Sequence, residues 1–306
     1  DDATDRDDTK AFLQRCKDAD LDNLQILHNR ENAGVSFSLN AAAALAGGEF
    51  LSPVDHDDVV VSQGFHQMLR SLRYHAAPWA YSDEVQVDAK GFLIQRLYKP
   101  DYSPQLLRSL MYINHLQIFS KTIFEKLGGY REGFEGSQDY DLMLRASELT
   151  QEIHHIPKVL YHWRTIEGST AADPAAKEYA YVSGQKALQD AVNRRGLRAR
   201  ASRIPRAQQI SLRSDVNRSH DGSDAEGILS GIYDVSFSET STTSVSVIVP
   251  CPESAGRSKR LPALLPLLLP YLEYSGVEVV LVVGGVQHFD FSDLQILYLM
   301  SKILQV

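Results

Sequence analysis

Apolar and polar positions along the chain predict alternating helices and strands. Lys10 to Cys16 has helical spacing, whereas Asn23 to His28 alternates like a strand that enters a loop over 29–34. A helix is expected from about Ser36 through the alanine run Ala41 to Ala44, stopping at Gly47-Gly48 in a left-handed cap. Glu49 to Val54 is then a short apolar strand that ends in Asp55-His56-Asp57-Asp58. Strands that run into acids are where α/β folds bind ligands, beyond the carboxyl ends of the sheet. Ser120 can cap a helix over Lys121 to Leu127 closed by Gly128-Gly129, and Asp139 stands at the N-cap of a helix carrying Leu142, Met143 and Ala146. Ile153 to Trp163 reads as a strand that Pro157 confines to an edge or a bulge. Asp173-Pro174 opens a long helix that Gly196 ends.

Beyond Ile204 the composition shifts to Ser, Arg, Asp and Gly, which predicts a final strand or two and a linker over 216–243. Val245 to Pro250, a Leu/Pro-rich helix-like stretch and Val277 to Val283 then read as a strand, helix, strand unit of parallel type. A first domain over 1–215 and a short second one over 244–306 follow from this division.

Charge and cysteine content remove several function classes. With 31 Lys+Arg against 39 Asp+Glu, the net charge of −8 makes nucleic acid an unfavourable partner. Cys16 and Cys251 lie in no metal-binding spacing. The most apolar stretch, 261–283, is broken by Pro262, Pro266, Pro270, Glu273 and Glu278, so no membrane span is expected. The opening Asp1-Asp2, with no Met and no apolar leader, reads as the start of a fragment without a signal peptide.

D-x-D recurs at Asp5/Asp7, Asp18/Asp20, Asp20/Asp22, Asp55/Asp57 and Asp139/Asp141. Only Asp55/Asp57 follows an apolar strand, where clustered carboxylates need a compensating cation. Such hard ligands suit Mg²⁺ or Mn²⁺ bound together with substrate phosphates, and a plain acidic turn is the alternative. Asp139, in a polar loop entering a helix, reads as an N-cap, worth about 1 kcal/mol. His162 is a metal ligand or a packed strand histidine, and His154-His155 is structural. Asp1-Asp2-Ala3-Thr4 is a nucleotide-binding turn or a solvated terminus. The arginines at 194, 195, 198, 200, 203 and 206 either offset a helix dipole or face anionic lipid or a lipid-linked phosphate.

In order along the chain, these pieces resemble the family 2 glycosyltransferases, most closely the bacterial branch that builds O-antigen and other surface polysaccharides. The likeness is carried by Asp1-Asp2-Ala3-Thr4, Asn32-Ala33-Gly34-Val35-Ser36 with Asn40, Gly48-Glu49-Phe50 leading to Asp55-His56-Asp57-Asp58, Tyr81-Ser82-Asp83-Glu84, Lys99-Pro100-Asp101-Tyr102-Ser103-Pro104, Gly128-Gly129-Tyr130-Arg131, Phe134 to Leu142, and Val159 to Arg164. The resemblance implies an α/β fold of the GT-A type, a Rossmann-like mixed sheet flanked by helices, here without the first domain's opening strands.

It further implies a metal-dependent, inverting transfer of a sugar from a nucleotide-diphosphate donor, UDP- or dTDP-linked, to a hydroxyl of a glycan or lipid-linked glycan. By resemblance, Asp1, Asp2, Asn32, Gly34, Asn40 and Asp55 bind the nucleotide sugar, and Asp57 and His162 hold Mn²⁺ or Mg²⁺. Asp139 is the general base, with Gln138 in place of the usual Glu. A cytoplasmic location follows, with peripheral contact at the inner face of the membrane. Residues 244–285 resemble the opening unit of a second such domain, with Gly284-Gly285 where its acidic pair would stand, or alternatively fill the first domain's vacant sheet positions. Two other readings are a non-catalytic glycan-binding or assembly module and a haloacid-dehalogenase-like phosphatase, since Asp55-His56-Asp57-Asp58-Val59 also fits D-x-D-x-[TV].

Overall fold

The computed structural model describes residues 1–165, 178–204, 231–237, 245–251 and 277–283. They fall into two compact units, Asp1–Ser236 and Phe237–Val306. The first unit is built on a six-stranded mixed sheet. Its strands are β1 (Phe50–Leu51), β2 (Val59–Val60), β3 (Trp79–Asp88), β4 (Leu93–Leu97), β5 (Gln117–Ser120) and β6 (Ile153–Thr165). They lie in the order β1-β5-β3-β6-β2, and β4 pairs with β3. Only β3 and β6 run parallel; the other pairs are antiparallel.

Alternation along β3 decides the layers. Trp79 and Tyr81 turn to a core shared with Phe119, Tyr140, Met143 and Leu188, while Ala80 turns to a second core with Met68, Leu72, Leu116 and Tyr161. Helices α6 (Gln138–Leu149) and α7 (Glu178–Arg194) cover the first face, and α3 (Gly64–His75) covers the second. Helices α1 (Asp7–Asp18) and α2 (Val35–Leu45) precede the sheet, and the short α4 (Pro104–Leu107) and α5 (Lys121–Lys126) flank β5.

Several expectations are corrected. Residues 23–28 are not a strand; among the described residues they join no ladder, and the alternation alone does not create a partner. Helix α2 ends at Ala46 in an extended conformation, so the left-handed cap expected at Gly47-Gly48 is absent. Ser120 precedes α5 without a side-chain cap bond. The register of β3 against β6 shifts at Pro157, so the bulge reading holds, and β2 pairs with β6 only further on, at Tyr161 and His162. The linker expected over 216–243 contains β8 (Tyr233–Phe237), which pairs with β7 (Ala199–Arg203) in the first unit. Tyr233 is buried against Tyr140, which is why the strand belongs to the domain.

Two arginines of the basic patch form ion pairs at helix ends. Arg194 makes a bidentate pair with Glu148, and Arg203 pairs with Glu178. Among the described residues no helix is long and apolar enough to cross a membrane. In the second unit, β9 (Val245–Cys251) and β10 (Val277–Val283) are a parallel pair in register from Val245↔Val277 to Cys251↔Val283, as the apolar runs predict. The helix-like stretch between them and Gly284-Gly285 lie outside the described residues.

Candidate functional site

The acidic turn after β1 is held from above by β6. Tyr161 donates its hydroxyl to Asp58 Oδ2 at 2.7 Å and receives the Asp55 N–H at 3.3 Å. The Arg164 N–H donates to Asp58 Oδ1 at 2.7 Å, and Arg164 Nε donates to the main-chain oxygen of Asp57. His115, in the segment between α4 and β5, stacks on the Tyr161 ring with centroids 4.7 Å apart. Its Nε2 lies 3.6 Å from Asp55 Oδ2. One ligand atom from each of Asp55, Asp58 and His115 falls within 4.8 Å of the others.

Burial pushes the half-buried Asp58 carboxyl above its ordinary value, and neighbouring Asp55 adds to the rise. The Arg164 and Tyr161 donors and His115 only partly offset this. Two carboxylates and an imidazole, with Asp55 59% exposed, form a donor set that is short of positive charge and open on one side. Such a set fits a divalent cation that keeps positions free for phosphate oxygens, and the nitrogen donor favours Mn²⁺ over Mg²⁺.

Asp139 stands beside this group. The N-cap of α6 is Ser137, whose hydroxyl donates to the Ala180 carbonyl at 2.7 Å instead of capping the helix. Asp139 is therefore not the N-cap; it is the second helical residue, and its Oδ1 accepts the Tyr140 N–H at 2.8 Å. Burial raises its pKa and the charge of Asp55 raises it further, against the pull of the Tyr140 N–H and of His115. It remains partly open to solvent. Tyr130, buried and influenced by both Asp139 and Asp55, closes the same space. The Oε1 of neighbouring Gln138 is buried and has no hydrogen-bond partner among the described residues.

The rest of the motif is scaffolding for these groups. Asp141, fully buried, pairs with Arg131 and Arg145, and Arg145 donates to the carbonyls of Leu127 and Gly129 at 2.7 and 2.8 Å. The turn that presents Tyr130 is thereby fixed to α6. From the other side, the Asn40 amide donates to the Tyr130 carbonyl and accepts its N–H, both at 2.8 Å. Gly129, at φ +73°, is needed because a Cβ there would collide with the Asn40 side chain.

At the other acidic pair the carboxylates are already occupied. Asp2 accepts the N–H groups of Ala33 and Gly34 at 2.8 and 2.9 Å and the Asn29 amide at 2.8 Å, which together hold its pKa below the ordinary value. Gly34, at φ +86°, is the N-cap of α2, and the Asn32 amide reaches the Asp2 carbonyl at 3.5 Å. Asp1 accepts the Thr4 N–H at 3.2 Å and lies 3.0 Å from His28 Nδ1. Asp1, Thr4, Lys10, His28 and Arg30 line a cavity of about 430 Å³.

Of the residues assigned from sequence, Asp55 and Asp139 meet at one place, and Asp1, Asp2, Asn32 and Gly34 meet at another. Asn40 braces the Tyr130 turn. Asp57 contributes a main-chain oxygen to Arg164 and does not join the three-ligand group, nor does His162. His162 follows Tyr161 on β6, opposite Val59, and alternation turns it away from the face that Tyr161 gives to Asp58. Sequence reasoning gave no site role to His115, Asp58 or Tyr130. Asp58 adjoined the D-x-D, but His115, in Ile113-Asn114-His115-Leu116, carries no motif.

The first unit shares its architecture with S. aureus TarS 1–349 in complex with UDP-GlcNAc, at a TM-score of 0.50 and 16% identity, over 72% of this chain and 64% of that one. At that identity the likeness is one of fold, and the class is the GT-A glycosyltransferase fold. Residues 1–128 match the family model described as Glycosyl transferase family 2. The chain is 36% identical over 170 residues to the uncharacterized protein y4gI of Sinorhizobium fredii, covering 55% of this chain and 19% of that protein. It is 29% identical over 262 residues to the O-antigen biosynthesis protein RfbC of Myxococcus xanthus, covering 85% of this chain and 18% of that protein. The chain thus spans about a fifth of the length of these curated relatives.

Proposed function

We propose that this chain transfers a sugar from a nucleotide-diphosphate donor to a hydroxyl of a surface polysaccharide, with inversion and with a divalent cation. The observation that carries the reading is the placement of Asp139 beside the Asp55, Asp58 and His115 group. The transfer needs a base for the acceptor hydroxyl and positive charge for the departing diphosphate. Asp139 has the first role: burial raises its pKa, which makes it a stronger base than an exposed carboxylate. Asp55, Asp58 and His115 would hold Mn²⁺ or Mg²⁺, which supplies charge to the diphosphate when bound. Tyr161 and Arg164 orient Asp58, and Tyr130 shields the space from water.

The UDP-GlcNAc of the structural neighbour and the O-antigen role of the Myxococcus relative support a nucleotide-sugar donor and a glycan acceptor. The cavity beside Asp1 is the place for the nucleoside. A phosphatase reading would put Asp55 at the end of a central parallel strand, whereas β1 is a two-residue strand antiparallel to β5.

The test is thermal. UDP, or failing that dTDP, should raise the melting temperature in Mn²⁺ and not in EDTA, because a ligand that binds only the folded state stabilises it. Equal stabilisation in EDTA would remove the cation from the account.

A further inference from the structure

Beneath the site lies an ion pair that the proposed reaction leaves unused. Lys99 and Glu84 are 4% and 1% exposed, with Nζ 3.6 Å from Oε2. Burial pushes the Lys99 amine below its ordinary value, and Glu84 and Asp83 work against that. A buried pair of this kind is seldom more stabilising than apolar side chains of the same volume, so stability does not explain it.

The partners of the pair do. Lys99 Nζ donates to the carbonyl of Ile113 at 2.9 Å and to that of His115, and Glu84 Oε2 accepts the His115 N–H at 3.3 Å. The backbone of 113–115 is thus gripped on both sides of Asn114, whose φ of +24° is a conformation that persists only where the surroundings impose it. The Lys99 N–H donates in turn to Asp83 Oδ1 at 2.9 Å, which also lies 2.9 Å from His155 Nε2, so the grip is anchored to β3 and β6. The same segment carries the imidazole that faces Asp55 and stacks on Tyr161.

We infer that Lys99 and Glu84 are positioning residues for His115, fixing its backbone so that the imidazole completes the group made by Asp55 and Asp58. This rests on the reading of that group as a cation site. The pair touches neither substrate nor cation; it acts through the segment it holds.

The test uses the full chain with Glu84→Gln and Lys99→Met together, so that neither charge is left alone. Three readouts are taken: the melting temperature, the His115 imidazole proton resonances identified by loss in His115→Gln, and the affinity for Mn²⁺ alone measured by electron paramagnetic resonance. The melting temperature should stay near that of the parent. The His115 resonances should leave their ring-shifted positions over Tyr161 for those of an exposed histidine, and Mn²⁺ affinity should fall about 10- to 100-fold, as for other groups that orient metal ligands. Glu84→Gln alone, which keeps both Lys99 donations, should restore the resonances and the affinity.

Unmoved His115 resonances with parent affinity in the double variant would overturn the inference. A parent that binds no Mn²⁺ overturns the cation reading instead, and the resonances still decide the positioning. If the double variant does not fold, Lys99→Gln, in which a shorter neutral amide replaces the ammonium, should show an intermediate change in the resonances, and no change would again overturn it.

Discussion

The two acidic regions of this chain are built from the same residue types and behave in opposite ways. Asp2 receives two backbone N–H groups and an amide, and its pKa is lowered. Asp58 and Asp139 lie among too few donors for their burial, and their pKa values are raised. A carboxylate whose hydrogen bonds are satisfied fixes the chain around it; one left short of positive charge is ready for a cation or a proton. The first region therefore fixes the backbone around the cavity beside Asp1, and the second is the one that the proposed reaction would use.

The largest effect is expected at Asp139. Asp139→Asn keeps an oxygen for the Tyr140 N–H but loses the base, so sugar transfer should fall by about 10² to 10⁴ while Mn²⁺-dependent UDP binding persists. Transfer at the parent rate, measured with radiolabelled donor, would return Asp139 to a structural role. Since the base must be ionised, the rate should also decline as pH falls through a value above the ordinary 3.8 of a carboxyl.

Asp58→Asn should abolish cation-dependent nucleotide binding. Its effect on the protein without ligand runs the other way. A carboxyl raised in the folded state costs stability as pH climbs from 3.8 to the raised value, so the Asn variant should melt higher than the parent at neutral pH and level with it in acid. A lower melting point at neutral pH, by calorimetry, would break the contrast between the regions.

Asn40 joins them, and Asn40→Ala removes both bonds to Tyr130 at a cost of about 1–3 kcal/mol, read by urea denaturation. A cost near zero would mean that α2 and the Tyr130 turn are held by packing alone. The smallest effect is at Asp2. Its lowered pKa contributes stability that is present above 3.8 and lost as pH falls through the folded value, so Asp2→Asn should melt lower than the parent at neutral pH and the gap should close in acid. A gap that is constant with pH would show that the carboxylate charge is idle there.

Much of this was legible in the sequence. The helices over 35–45, 121–126 and 178–194 and the parallel pair in the second unit announced themselves by their residue patterns, and the last two of these helices also by the glycines that follow them. The central strand β3 did not, because Ser82, Asp83 and Glu84 are polar yet buried, satisfied by Lys99, His155 and the 113–116 segment that only the fold brings near. Asp55 and Asp139 could be picked out because each borders an element. The metal ligands expected at Asp57 and His162 were chosen from linear order; which of two adjacent residues faces the site depends on pairing with β6. His115 was invisible for a related reason: it reaches Asp55 across 60 positions of chain, counted from 115 to 55, through a loop gripped by a buried lysine.

The central claim is that Asp55, Asp58 and His115 hold the cation beside Asp139. Anomalous scattering from crystals grown with Mn²⁺ and UDP tests it most directly. The account predicts the strongest anomalous peak in contact with Asp55, Asp58, His115 and the diphosphate, with Asp139 free to meet an acceptor. A peak held by Asp57 or His162, or UDP bound with no peak between the three, would contradict it.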